Sequence, residues 1–385
     1  MKDSSRILPS KASCRRRSDY VHLTIHLTDR CNLACHYCYA RHGTDEMSFE
    51  TAMSAIAECT ADDPNPGIIF FGGEPLLKAD LIFRIIAACE RQSPRRFHYK
   101  VTTNGTLLTP ELIARTTSVR LHLAVSCDGT PAVQDRHRVT DAGTGSSALV
   151  VPNLRAVLAA QPSAPVMMTV NPDTAADLPE SVRFLREQGA SYLISSVNFQ
   201  EDWDARAWRR LKKSYKTLGE WYLDAYRREE KFYFAAFDKR IATRIWPGRG
   251  TSCQLGRRQI SVAPDGTYYP CVQFVGRAEY AIGSVGRGLD ADRRTCVFAR
   301  NEQDKPDCEG CALLGRCNNK CGCLNVSTTG SLDAVPPFFC EHERFLIPFV
   351  DNLAEKLYAE RNALFIQRHY NPAFPVMSIL EDLSR

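Results

Sequence analysis

No stretch of this 385-residue chain stays apolar for the length of a bilayer, and Met1-Lys2-Asp3-Ser4 opens it without an apolar signal region. The expectation is a cytoplasmic protein with no membrane partner. A broad basic face interleaved with aromatics is also missing. The net charge is only +5, and Arg15-Arg16-Arg17 beside Lys11 reads as a solvated tail, so nucleic acid is not an expected partner. Cysteine, by contrast, is abundant. In a reducing compartment, sixteen of them argue for metal ligands and free thiols over disulfides. Hydrophobic content of 44% and charged content of 24% are ordinary for a globular chain, and the length has room for two or three domains.

The chain is organised around Cys31-Asn32-Leu33-Ala34-Cys35-His36-Tyr37-Cys38, with Tyr39 next. Three thiolates on one short loop can hold three irons of a cubane and leave the fourth open to a small molecule. Zinc motifs usually pair two close cysteines with another pair elsewhere. The loop follows His22-Leu23-Thr24-Ile25-His26-Leu27-Thr28, whose alternation is that of a strand. Ser48 caps an expected helix over 48–60, and the apolar run Gly67 to Phe71 then ends in Gly72-Gly73-Glu74-Pro75. Two glycines let backbone approach a ligand, and the carboxylate can accept bonds from an ammonium. Tyr99 to Thr103 ends at Asn104-Gly105. Leu121 to Ser126 ends at Cys127-Asp128-Gly129, with Asp135 and Arg138 downstream. Polar groups gathered at strand ends suit a zwitterionic, ribosylated ligand. With further strands at 166–171 and 192–199, six strand-then-helix units predict an α/β fold. Its form is a partial (β/α)6 TIM-type barrel, open on one side.

Residues 202–246 lack turn punctuation and carry Trp208, Leu211, Tyr215 and Leu218 at helical spacing, which predicts a helical linker. A second cysteine group follows. Cys253 and Cys271 flank an expected hairpin turning at Asp265-Gly266, which brings them together. Then come Cys308, Cys311, Cys317, Cys321, Cys323 and Cys340. A Cys-x2-Cys pair joined to a second pair also suits zinc, and that reading stands open here. Cys59, Cys89 and Cys127 are expected as small core residues and Cys14 as a free thiol. The expected layout is a mobile lead-in over 1–19, the barrel over 20–201, the linker over 202–246, a cysteine-rich domain over 247–345, and a helix with a polar tail over 346–385.

The first group of motifs, in this order, resembles the radical SAM superfamily. The second resembles the seven-cysteine SPASM extension of those enzymes. The resemblance implies a [4Fe-4S] cluster on Cys31, Cys35 and Cys38 whose open iron chelates S-adenosylmethionine. It assigns Gly72, Gly73 and Glu74 to the methionine amino group and Ser126 and Arg138 to its carboxylate. Tyr37, Asn104 and Asp128 fall nearby. Two auxiliary [4Fe-4S] clusters are implied, one on Cys308, Cys311, Cys317 and Cys340. The other takes Cys253, Cys271 and Cys321, with its fourth iron vacant, held by Cys323 or bound to substrate. The implied chemistry is reductive cleavage of the sulfonium to a 5′-deoxyadenosyl radical that abstracts hydrogen from carbon.

Relatives with this extension mostly modify peptides. The leading expectation is therefore a maturase that forms a thioether in a ribosomally made, cysteine-rich precursor peptide. A flavodoxin- or ferredoxin-type protein would supply electrons. The lead-in is too short for a leader-peptide-binding module, which is expected on a separate protein. The segment Cys317 to Cys323, with Phe339-Cys340-Glu341-His342-Glu343, resembles maturases of repeated-cysteine precursors. An anaerobic sulfatase-maturating enzyme is the alternative. That family places a catalytic aspartate after its Tyr-Pro-Cys cysteine, where this chain has Val272, which cannot act as a base. A non-catalytic metal-binding scaffold is the remaining alternative.

Overall fold

The computed structural model describes residues 21–91, 95–246 and 252–371. The expected lead-in and the tail beyond 371 lie outside the described residues. The first half alternates strand and helix: β1 (His22–His26), α1 (Phe49–Thr60), β2 (Gly67–Phe71), α2 (Ala79–Arg91), β3 (His98–Thr103), α3 (Pro110–Ser118) and β4 (Leu121–Ser126). It continues with α4 (Pro131–His137), α5 (Ser147–Ala160), β5 (Pro165–Val170), α6 (Leu178–Glu187) and β6 (Tyr192–Val197). All six strands are parallel neighbours in sequence order. This is the partial barrel expected from the alternating pattern.

Two faces follow from strand periodicity. Leu23 and Ile25, Ile68 and Phe70, Val101, Leu123 and Val125 are buried against the surrounding helices and form the main core. The alternate residues face the lumen and are more polar. Helix starts are fixed locally, as where Ser48 Oγ accepts from Thr51 N at 3.0 Å at the head of α1.

The expected helical linker is not continuous. It contains α7 (Ala205–Arg227), the short strand β7 (Tyr233–Phe234) and α8 (Ala235–Ile245). β7 pairs in parallel with β6, and Tyr192 stacks on Tyr233 at 4.4 Å. The turn that ends α7 uses Glu229 at φ 56°, so no glycine or proline marks it.

On the other edge, β8 (Gln259–Val262) pairs in parallel with β1, and β9 (Tyr268–Tyr269) pairs antiparallel with β8. The turn at Asp265-Gly266 has Gly266 at φ +86°. The cysteine-rich region thus contributes two strands to the barrel sheet, which runs β7-β6-β5-β4-β3-β2-β1-β8-β9. It continues through α9 (Ala291–Glu302), α10 (Gly322–Thr329), α11 (Pro337–Ala359) and α12 (Ala363–Tyr370). α11 starts nine residues before the helix expected over 346–385, inside the stretch expected to be the cysteine-rich domain, because Pro337 suits a first helical position. Cys340 therefore sits in its first turn. No helix of the described residues is long and apolar enough to cross a membrane.

Ile260 on β8 is 1% exposed and packs in the main core. Ile260→Ala should cost about 2–5 kcal/mol. Denaturant unfolding followed by tryptophan fluorescence and by thiol reactivity of the cysteine-rich region should shift together. Separate transitions would show the cysteine-rich region to be an independent unit.

Candidate active site

The loop after β1 is held on two sides. Gly73 N donates to Thr28 O at 2.8 Å and Glu74 N to Arg30 O at 2.9 Å. Opposite, Ala34 N donates to Val139 O at 2.7 Å and His36 N to His137 O at 3.0 Å. A Cβ on Gly72, which has φ +135°, would stand 2.4 Å from Thr28 O, and one on Gly73 would stand 2.2 Å from Arg30 O. The close approach that the two glycines permit is therefore to the cysteine loop itself, as well as to the cleft they line.

Cys31 and Cys35 are half-buried and Cys38 is exposed. Cys31 Sγ accepts from Leu33 N at 3.5 Å and Asn104 Nδ2 at 3.8 Å. Such N–H···S bonds stabilise a cluster thiolate. Burial pushes Cys35 up to about 11, with Cys38 and Cys31 adding to it against Arg138. Bound iron would supply the positive charge these crowded thiolates need. Among the described residues, no three His, Cys, Asp or Glu side chains are grouped to hold a single metal ion. Thiols spread around a cubane stand farther apart than the ligands of one zinc.

The expected cofactor residues form a ring at the strand ends, tied to one another. Glu74 is fully buried. Its carboxylate accepts from Asn104 N at 2.7 Å, Thr103 Oγ1 at 2.8 Å and Leu76 N at 3.0 Å, and so joins the end of β2 to β3. Burial, only partly offset by these bonds, raises it to about 7. Asn104 also donates to Asn32 Oδ1 at 2.9 Å. Arg138 grips Asp128 with Nε at 3.0 Å and a terminal nitrogen at 3.1 Å. Tyr37 Oη and Thr169 N donate to the same carboxylate. Burial alone would lower the Arg138 pKa, but Asp128 outweighs it and holds the guanidinium charged. Ser126 is half-buried at the end of β4.

Two further thiol groups form in the cysteine-rich region. Cys308, Cys311, Cys317 and Cys340 line one small cavity with Asn319, whose Nδ2 donates to Cys308 Sγ at 3.4 Å. Cys253, Cys271 and Cys321 act on one another electrostatically, so they too converge. Cys323, which spacing alone left unassigned, lies 3.6 Å from Cys321 and hydrogen-bonds Cys271 as well. Its S–H lowers the pKa of both neighbours while its own rises. This second group therefore has four thiols at hand.

A cleft of about 310 Å³ separates the cysteine loop from the β8–β9 hairpin. His26, Tyr39, Arg41, Gly73, Tyr269 and Val272 are among its walls. His26 is 5% exposed, its Nε2 has no partner, and burial lowers it to about 4, so the ring is neutral. The sequence reading passed over this histidine. Its signal was an inward position in the last register of β1.

The radical SAM superfamily profile matches residues 25–185, the stretch that carries the cysteine loop and the polar ring. These residues form a radical SAM domain. An uncharacterised protein of Methanocaldococcus jannaschii is 36% identical over 110 residues, 28% of this chain and 38% of that protein. An Fe-coproporphyrin III synthase of Methanosarcina barkeri is 35% identical over 118 residues, 29% of this chain and 28% of that protein. The chain thus spans about a third of the length of these two relatives. A cysteine-type anaerobic sulfatase-maturating enzyme of Clostridium novyi is 20% identical over 322 residues, 76% of this chain and 85% of that enzyme. Among solved structures, anSMEcpe with bound AdoMet and the Cp18Cys peptide aligns with TM-score 0.74 at 18% identity, over 88% of this chain and 99% of that one. Streptococcus suis SuiB bound to precursor peptide SuiA aligns with TM-score 0.58 at 15% identity, over 84% and 76%. The radical SAM domain shares its fold with both.

Asp128 and Arg138 are a buried pair, with side chains 1% and 9% exposed. Asp128→Ala should destabilise the protein by about 3–5 kcal/mol by leaving the guanidinium unpaired. Adding Arg138→Met should recover part of that loss in denaturant unfolding. No recovery in the double variant would show that the pair is not coupled.

Proposed function

We propose that this protein is a radical SAM enzyme that modifies a peptide. The observation that carries the reading is the convergence of Cys31, Cys35 and Cys38 at the barrel rim beside the ring of Asn104, Ser126, Asp128 and Arg138. The three thiols would hold a [4Fe-4S] cluster. When bound, cluster and S-adenosylmethionine together supply a 5′-deoxyadenosyl radical for hydrogen abstraction.

The chain's own residues bind, orient and shield. Tyr37 and Arg138 meet over Asp128, with the guanidinium carbon 5.3 Å from the ring centroid, and give the cofactor's polar end a charged, ordered wall. Gly72 and Gly73 keep the cysteine loop seated. Glu74 fixes the β3 end and, through it, Asn104. Cys308, Cys311, Cys317 and Cys340 would hold one auxiliary cluster. Cys253, Cys271, Cys321 and Cys323 would hold the other, in what we read as a SPASM domain.

A peptide substrate is supported by the open barrel edge and by the peptide-bound states of anSMEcpe and SuiB. Thioether formation on a cysteine-rich precursor is the finer reading, and Val272 favours it. It lines the cleft directly after Cys271, where formylglycine chemistry would need a base. The similarity to a sulfatase-maturating enzyme along most of the chain keeps that chemistry as the second reading. A flavodoxin- or ferredoxin-type donor completes the proposed partners, in the cytoplasm.

Anaerobically reconstituted protein should contain about twelve irons with matching sulfide. Given S-adenosylmethionine and a strong reductant, it should release 5′-deoxyadenosine. Cys35→Ala should abolish that release and keep about eight irons. Wild-type protein that yields no 5′-deoxyadenosine would refute the proposal, and zinc in place of iron would support a scaffold. With a cysteine-rich precursor, a product lighter by two hydrogens and lacking one free thiol distinguishes a thioether from formylglycine.

A further inference from the structure

The outer face of α7 is basic over its first three turns. Arg206, Arg209, Arg210, Lys212, Lys213 and Lys216 fall within about 160° of arc at 3.6 residues per turn. Leu211, Tyr215 and Leu218 take the opposite side and are buried in the main core. Arg206, Arg209, Lys213 and Lys216 are exposed, and Arg210 and Lys212 are half-buried. No acid stands between Asp204 and Glu220.

A solvated helix face normally mixes both signs of charge. Here, among the described residues, none of the six cations has an ion-pair partner. Asp204 is engaged as the helix cap, where its Oδ1 accepts from Ala207 N at 2.6 Å. Acids farther along α7 and on α11 are committed elsewhere: Asp224 and Glu360 to Arg227, Glu355 to Arg244, and Asp351 to Arg316. Like charges on adjacent turns repel, and an acidic partner relieves that repulsion.

The face borders a seam of aromatic rings. Lys212 Nζ lies 4.9 Å from the centroid of the Trp208 ring. Trp208 meets Phe338 edge-on at 5.4 Å, and the half-buried Trp203 stacks on Phe338 at 5.0 Å. Phe199 links Phe338 to Phe339, at 5.8 and 5.3 Å. Phe339 in turn walls the cavity shared by Cys308, Cys311, Cys317 and Cys340. The cleft beside Val272 is at β1 and β8, whereas α7 follows β6 toward the other edge of the sheet. A partner on α7 is thus joined by rings to a thiol group and set apart from the cleft. That suits exchange of an electron and not presentation of a reacting side chain.

We propose that the basic face of α7 is the docking surface for a small acidic one-electron carrier of the flavodoxin class. The Trp203 ring at the edge of the face offers a π-surface to an isoalloxazine, which an iron–sulfur carrier would not use. Each encounter oxidises the carrier by one electron and reduces the enzyme by one. The proposal rests on the radical reading for the carrier's purpose, though not for the binding itself.

Anaerobic calorimetry on the reconstituted holoenzyme tests it, with an acidic flavodoxin as the probe. Binding should weaken about tenfold when salt is raised from about 50 to about 200 mM. A variant with Arg209→Glu, Lys213→Glu and Lys216→Glu should lose about tenfold or more in affinity at low salt. Its melting temperature should match wild type, since all three positions are exposed. The same charge change at Arg91, Arg287 and Lys356, also exposed, should have little effect. No flavodoxin binding, undiminished affinity in the α7 variant, or equal loss in both variants overturns the proposal. So does equally tight binding to this face by a ferredoxin, a polyglutamate peptide or a DNA duplex.

Electron delivery gives a second readout. Release of 5′-deoxyadenosine driven by reduced flavodoxin should fall about tenfold in the α7 variant, with dithionite-driven release unchanged. An equal fall with both reductants overturns the docking role. Wild-type protein that gives no 5′-deoxyadenosine with dithionite counts against the radical reading alone, since calorimetry needs no turnover.

Discussion

Everything at the rim depends on how the cysteine loop is gripped. A short loop carrying three thiolates has no core of its own, and mutual repulsion works against keeping its sulfurs together. Here the grip is backbone to backbone, from Gly72-Gly73-Glu74 on one side and His137 to Val139 on the other. Main-chain bonds leave the cysteine side chains free to turn toward a cluster. They also explain why both positions after β2 are glycine, since any side chain there would collide with Thr28 or Arg30 carbonyls.

From that grip outward, the polar ring is a set of braces. Glu74 uses its whole carboxylate on backbone and side chains of β2 and β3, and Asp128 gathers Arg138, Tyr37 and Thr169. Buried charges arranged this way hold geometry more than they add net stability. The ring is thus pre-organised before any cofactor arrives, and a radical-forming centre requires such control.

The fold class was legible because the first four strands each end in a chemical signal of their own and the strand-helix alternation continues past them. β2 and β4 span the residues read from the apolar runs, Gly67–Phe71 and Leu121–Ser126. β7 was not legible, since Tyr233-Phe234 is too short to alternate and the turn before it is made by a glutamate. Nor was the partner of β8. A hairpin can be read from Asp265-Gly266, but parallel pairing to a strand more than two hundred residues earlier leaves no local trace. At the site, residue types were readable and their pairings were not. Arg138 looked free to hold a ligand, yet its strongest partner is Asp128, ten residues away on the neighbouring turn. Spacing could not place Cys323, because membership of a thiol group is decided by the fold of the chain between Cys271 and Cys321.

The parallel contact of β8 with β1 has a consequence for how such proteins can evolve. The strand that launches the first cysteine loop is flanked by β2 on one edge and by the hairpin between Cys253 and Cys271 on the other. The two cysteine-bearing halves share a seam and cannot be traded as cassettes. A lineage that altered the hairpin would shift the origin of the cysteine loop, so the spacing between the two thiol groups is inherited as a unit.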